Sequence, residues 1–436
     1  MSPLILGAVG FGFLFLLMLM GIPIGISMII TALTGVAYIA GWDAAFGILQ
    51  TVPYTTIAHY SLCMIPLFLL MGAFSFHGGL SSDLYFGANK WVGRQPGGLA
   101  MATVAGCAGF AAVTGNSVAS VATMGRIALP EMKKYNYDPA LATGVIAAGG
   151  TMGILIPPSI PLVVFGILTE QSIGKLFFAG FIPGILEAIF YMGVIYIRCK
   201  SNPSLGPRGP KVSFIDKLKS LKMFWMTGLL FILVLGGIYV GIFAPTEAAG
   251  IGAVGAFLII LIRGKVTWQN LFGALTDACK VTCMIIVVFI GAKMMMSFLA
   301  LTQLPFALAA FIDGLSINRY IIMAGIMIMY LMLGCLMDPI SMMLLTVPIL
   351  FPTVIGLGFN GIWFGIIIAR MLEIGLITPP LGLNAIIIRE QAKEILDVPV
   401  SIVYRGIIPF LIADVLHVSL LFAFPGIVLF LPSIMN

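Results

Sequence analysis

Gly153-Ile154-Leu155-Ile156-Pro157-Pro158 recurs as Gly375-Leu376-Ile377-Thr378-Pro379-Pro380, a shift of 222 residues. The same shift pairs Asn116 with Asp338, Pro130 with Pro352 and Asp138 with Asn360. Weaker matches extend it, Gly72-Ala73 with Gly291-Ala292 on one side and Gly180 and Pro183 with Gly406 and Pro409 on the other, so the chain holds two copies of one unit, roughly 64–184 and 284–410. Consecutive prolines donate no backbone hydrogen bond and clash with the preceding turn. Each copy is therefore expected to carry a helix that breaks at its Pro-Pro pair and frees the carbonyls of Gly153 and Ile154, or of Gly375 and Leu376.

The surroundings of these breaks are apolar. Of 436 residues 61% are hydrophobic and 9% charged, against roughly 25% charged in a soluble domain, and the mean hydropathy is +1.14. Stretches of about 20 apolar residues, the length of a spanning helix, recur from Leu4 to Leu431. The chain reads as an all-α polytopic membrane protein with no separate water-soluble domain. The start, Met1-Ser2-Pro3, lacks the charged region and cleavage site of a signal peptide and is read as a retained first helix. A net charge of +6 sits in short loops, where it orients a membrane protein, and nucleic-acid binding is not expected. The six cysteines show no metal-ligand spacing, and His59, His77 and His417 are too scattered to form a metal or proton-relay group.

The stretch Arg198–Lys222 holds seven basic residues against Asp216, which makes it cytoplasmic by the positive-inside rule. Counting crossings outward from it brings Arg263 with Lys265, Lys133 with Lys134, and Lys90 with Arg94 to the same side. Five crossings separate equivalent points of the two copies, and an odd number inverts the second relative to the first. Segments 97–132 and 318–357 are either pairs of full spans or re-entrant hairpins; the small and polar residues around Thr114-Gly115-Asn116-Ser117 favour hairpins, because such a surface is costly in lipid. The expected organisation is scaffold helices in 1–63, a first inverted repeat in 64–197 (hairpin 97–132, broken helix 139–167), a basic loop with a surface helix in 198–222, scaffold helices in 223–283, and a second repeat with a C-terminal helix in 284–436 (hairpin 318–357, broken helix 361–388). Residues 4–58 fit one span plus a surface helix or two spans. Trp268–Ala278 reads as a second surface helix.

A half-helix whose carbonyl end faces a cavity is a ligand set for a hard cation, and the hairpin turns add side-chain oxygens. Two sodium sites are expected: Gly115, Asn116, Gly150, Gly153 and Ile156 for the first, and Asp338, Gly375 and Thr378 for the second. Oxygen-only ligands suit an alkali ion rather than a transition metal. The blander reading, that the prolines only kink their helices, stands beside this one. The substrate-binding set between the sites comprises Ser117, Thr151, Ser159, Asn384 and Arg370, with helix N-terminal amides available for a carboxylate. Arg370 and Glu373 lie three residues apart on one helix face and read equally as a functional or a structural ion pair.

Asn116-Ser117-Val118-Ala119, Leu129-Pro130-Glu131-Met132, Ile156-Pro157-Pro158-Ser159-Ile160-Pro161, Met337-Asp338-Pro339 and Gly375–Asn384 together resemble the large membrane subunit of tripartite ATP-independent periplasmic (TRAP) transporters. The resemblance spans essentially the whole chain. It implies an elevator-type, sodium-driven importer of a small organic acid, of the sialic acid or C4-dicarboxylate class with the sialic acid subgroup favoured, in a bacterial inner membrane. It also implies a periplasmic solute-binding protein and a small four-helix membrane subunit as partners, the latter separate because the chain begins at its first large-subunit helix. A channel built on re-entrant hairpins is the rival reading. An enzyme is not expected, since the sequence has no His-Glu-x-x-His motif and no P-loop.

Overall fold

The computed structural model describes residues 2–314, 317–335 and 337–435, and every regular element among them is a helix. The chain opens with α1 (Pro3–Leu19), α2 (Ile24–Ala40) and α3 (Trp42–Ile57), so residues 4–58 form three helices, where one span plus a surface helix or two spans were expected. A 3-10 turn leads into α4 (Met64–His77), followed by α5 (Leu80–Val92). Next come a helical hairpin, α6 (Gly98–Thr114) and α7 (Ser117–Lys134); an interrupted segment, α8 (Pro139–Thr151) and α9 (Ile160–Thr169); and the long α10 (Ile173–Ser201).

After the basic loop, α11 (Phe214–Phe231) runs through a π-helical turn at Ile232–Gly236 into α12 (Gly237–Tyr239), and α13 (Pro245–Ile262), α14 (Trp268–Thr302) and α15 (Leu304–Gly314) follow. The earlier order then recurs: a hairpin of α16 (Arg319–Gly334) and α17 (Pro339–Gly356), an interrupted segment of α18 (Gly361–Ile377) and α19 (Leu383–Ile395), and the long α20 (Val400–Ala423), before α21 (Gly426–Ile434) ends the chain. Seven helices among the described residues are long and apolar enough to cross a membrane.

Helix capping explains why the repeated pairs are Asn and Asp. Asn116 accepts from the Ala119 amide at 3.2 Å and Asp338 from Ser341 at 3.0 Å, so each starts the second arm of its hairpin. Asp138 accepts from Leu141 at 2.9 Å and Asn360 from Ile362 at 2.9 Å, starting each interrupted segment. A short side-chain oxygen at these positions satisfies amides that have no partner within the helix. The interruptions fall at the double prolines: 152–159 and 378–382 are irregular, and both Pro-Pro bonds are cis.

Hairpin turn and break sit side by side in each half. A Cβ on Gly115 would lie 2.3 Å from the Pro158 carbonyl oxygen, and one on Gly375 would lie 2.6 Å from the Gly334 Cα. The 13 residues of α8 rise about 20 Å at 1.5 Å each, so the first hairpin turns well inside the thickness of the bundle.

The basic loops gather where α8 begins. Gly97 and Asp138 donate to Gly206 and Leu205 of the basic loop, and Lys133 bonds the Ile395 carbonyl. Arg263 ties the end of α13 to Gly78 and Asp83 at the α4–α5 junction. Neither amphipathic segment is a detached surface helix. Phe214 opens a continuous helical run to Tyr239, and Trp268 opens a helix of 35 residues. At about 52 Å that helix exceeds a hydrocarbon core of about 30 Å, so its polar first turns fit a projection beyond the apolar layer, and their alternating pattern needs no separate element.

Candidate substrate and cation site

The two breaks and the two hairpin turns enclose one cavity of about 320 Å³. Gly115, Asn116, Ser117 and Val118 line it from the first turn, Ile154, Ile160 and Pro161 from the first break, Asp338, Pro339 and Ile340 from the second turn, and Leu376 and Leu383 from the second break; Val281 and Met284 of α14 close one side. Four helices begin at this wall, with the first residues of α7, α9, α17 and α19 (Ser117, Ile160, Pro339 and Leu383) all in the lining. Free amides and the positive dipole end at helix starts favour an anion; at α9 the Ile160 and Leu162 amides are already taken by Gly115 and Ser159 and Pro161 has none, which leaves the starts of α7, α17 and α19 for that role. Asp338 is the one charged residue among those lining the cavity.

A second cavity of about 390 Å³ shares Asn116, Val118 and Val281 with the first and extends along α7 to Arg126, Asp277 and Lys280. Asp277 lies 3.3 Å from His77 at the end of α4, beside the junction that Arg263 holds. The central cavity is thus continued toward that end of the bundle by a vestibule carrying two basic residues and one acid.

The expected cation ligands fall in two groups. Gly115 and Asn116 line the cavity, and Gly153 lies directly behind them, where an added Cβ would be 2.9 Å from the Asn116 carbonyl carbon and 3.0 Å from the Ser117 amide. Gly150 instead packs on Val121 of α7, and Ile156 on Gly184 of α10. Around the second break, Asp338 faces the cavity. Its Oδ2 is engaged by the Ser341 amide. Gly375 packs on Gly334, and the Thr378 hydroxyl donates to the Ile374 carbonyl at 2.6 Å, which leaves its oxygen lone pairs free. The donors are all hard oxygens, which fits an alkali ion.

The expected substrate residues separate more sharply. Ser117 lines the cavity and accepts from Asn384 Nδ2 at 2.9 Å; Oδ1 of that buried amide has no hydrogen-bond partner among the described residues. Ser159 is buried and caps α9 through the Leu162 amide at 3.4 Å. Thr151 and Arg370 belong to a different place, a fully buried cluster among α8, α10, α18 and α20. Arg370 donates to Glu187 at 2.7 Å and to Glu373 at 2.6 Å and pairs with Asp414, while Thr151 donates to Glu187 at 3.0 Å. Tyr191 donates to Asp414 at 2.7 Å. Neither Thr151 nor Arg370 is among the residues lining the two cavities. Sequence reasoning found the Arg370–Glu373 pair but not its partners; the available signal was that Glu187 and Asp414 are acids inside apolar spans, which marks buried pairing or function.

Residues 11–427 match the family model described as "Tripartite ATP-independent periplasmic transporter, DctM component". The chain belongs to this family. As a TRAP large membrane subunit it is 37% identical to the C4-dicarboxylate TRAP transporter large permease protein of Pseudomonas aeruginosa, over 87% of this chain and 88% of that one. It is 30% identical to the sialic acid TRAP transporter large permease protein of Vibrio cholerae, over 97% of each. To the isethionate TRAP transporter permease protein of Oleidesulfovibrio alaskensis it is 31% identical, covering 96% of this chain and 65% of that longer one. The fold of this TRAP subunit is shared by the solved YdaH transporter of Alcanivorax borkumensis, at a TM-score of 0.63 and 14% identity over 88% of this chain and 89% of that one. The relatives are transporter permeases, not enzymes, and the subunit is an integral membrane protein.

Proposed function

We propose that this TRAP subunit imports a small organic acid across a bacterial inner membrane, coupled to sodium. The observation that carries this reading is the cavity's charge: three helix starts suited to an anion, those of α7, α17 and α19, surround a lining whose one charged residue is the acid Asp338. A second negative charge about 5 Å from a carboxylate costs about 3 kcal/mol at an effective dielectric of about 20. A sodium ion held by Asp338, Thr378 and the carbonyls near Gly375 cancels that repulsion, so cation and anion each favour the other's binding. Asn116, Gly115 and Gly153 form the first, uncharged cation site. Gly150 and Ile156 support it from behind.

Ser117, Asn384 and the free amides bind the substrate's polar groups, with Ser159 holding the α9 start in place. Thr151 and Arg370 act by fixing the helices that carry these groups. The acid class rests on relatives named for C4-dicarboxylate, sialic acid and isethionate transport, all organic anions. By the positive-inside rule the basic end is cytoplasmic, so the vestibule at Arg126 and Lys280 is the release path of an inward-facing state.

The hairpins and interrupted helices move together as an elevator, related as inverted repeats, against a scaffold drawn from 1–63 and 223–283. A separate small membrane subunit and a periplasmic binding protein complete the system, as the family's tripartite description suggests. Sodium-driven counterflow in proteoliposomes holding the chain and its neighbouring subunits tests the reading. Exchange of a labelled C4-dicarboxylate, sialic acid or isethionate across the membrane is expected; ohmic current without exchange would establish a channel instead.

A further inference from the structure

A buried contact joins the two halves of the chain just behind the cavity lining. The carboxylate of Glu373, in the last turns of α18, accepts from the backbone amide of Leu155 inside the first break at 3.0 Å. Its other oxygen accepts from Arg370 at 2.6 Å, and both side chains are fully buried. The neighbours of this contact belong to the cavity lining, Ile154 beside Leu155 and Leu376 less than a turn after Glu373. Leu155 sits in an irregular segment, so its amide has no α-helical carbonyl to use. A buried amide left without an acceptor is costly. Glu187, Asp414 and Tyr191 crowd the same guanidinium and hold it in place from α10 and α20.

We propose that Glu373 is a positioning residue for transport: held by Arg370, it caps Leu155 and locks the first break to the second half, fixing the carbonyls around Gly153 that serve the first cation site. Asn116 and Gly153 then keep their spacing only while this cap is made. The inference rests on the sodium reading above, and its test separates the two.

Hydrogen–deuterium exchange at Leu155 and the sodium concentration that half-saturates thermal stabilisation are measured on the purified full chain in lipid nanodiscs. The variants are Glu373→Asp, which keeps the charge for Arg370 but is one methylene short, and Glu373→Leu. Wild type is expected to protect Leu155. Glu373→Asp is expected to exchange Leu155 rapidly and to need about tenfold more sodium, the change that follows from losing about 1.4 kcal/mol. Glu373→Leu behaves likewise where it folds; Glu373→Asp, with the ion pair retained, carries the test alone where it does not. Protection of Leu155 in Glu373→Asp overturns the proposal, as does rapid exchange with unchanged sodium dependence. A wild-type chain indifferent to sodium overturns the sodium reading, and exchange at Leu155 then still decides whether Glu373 holds the break.

Discussion

Asn384 of α19 donates to the Ser117 hydroxyl of α7 at 2.9 Å, joining the second break to the first hairpin across 267 residues of sequence. The bond is buried, and the same amide nitrogen lies 3.4 Å from the Ala147 carbonyl. Removing one partner of a buried polar pair costs about 1–3 kcal/mol. Asn384→Ala is therefore expected to lower the thermal midpoint of the purified chain and to weaken substrate binding. Ser117→Ala, which leaves Asn384 its second contact, is expected to do less of both. Equal stability of Asn384→Ala and wild type would remove this contact from the account.

Gly115 adopts φ +58° and has no room for a Cβ, which would sit 2.3 Å from the Pro158 carbonyl oxygen. The left-handed conformation alone costs a side chain about 1–2 kcal/mol, and the clash must push turn and break apart. Gly115→Ala is expected to abolish uptake in cells while Gly228→Ala, with nothing within 4 Å, leaves it unchanged. Membrane abundance of both variants, measured by immunoblot, separates lost transport from lost protein.

Arg370 carries an expectation that distinguishes support from substrate contact. It faces three buried carboxyl groups, and breaking such a cluster from one side costs about 3–5 kcal/mol. Arg370→Met is expected to lower the thermal midpoint sharply, with substrate affinity of the surviving folded fraction within about threefold of wild type. A variant of unchanged stability that no longer binds substrate would return Arg370 to the binding site.

The all-helical membrane fold and its interruptions were legible because proline chemistry is local: Pro157-Pro158 and Pro379-Pro380 break a helix whatever surrounds them. Asn116 and Asp338 were equally visible, though read as candidate cation ligands; the structure shows them as helix caps. Their capping role depends on where α7 and α17 start, which the sequence leaves uncertain by a few residues. The partners of Arg370 were not legible, since Glu187 and Asp414 come from α10 and α20 and meet it only through packing. The reading of Trp268–Ala278 as a surface helix failed for a related reason, because an amphipathic turn looks the same lying on a membrane or projecting beyond a long span.

The two proposed cation sites differ in charge, with Asn116 at one break and Asp338 at the other. Asp338→Ala is expected to reduce sodium-driven uptake more than Asn116→Ala, compared at equal membrane abundance. Equal losses would mean that the asymmetry has no part in coupling.

The most direct test is the sodium dependence of substrate binding by the purified transporter, measured by calorimetry for wild type and Asp338→Asn. Coupling through Asp338 predicts that saturating sodium tightens binding of the organic acid by roughly 5- to 150-fold in wild type, the range of about 1–3 kcal/mol. In Asp338→Asn, binding is expected to be nearly independent of sodium. A variant that keeps the wild-type sodium dependence would contradict the account, as would a wild type whose affinity sodium does not change.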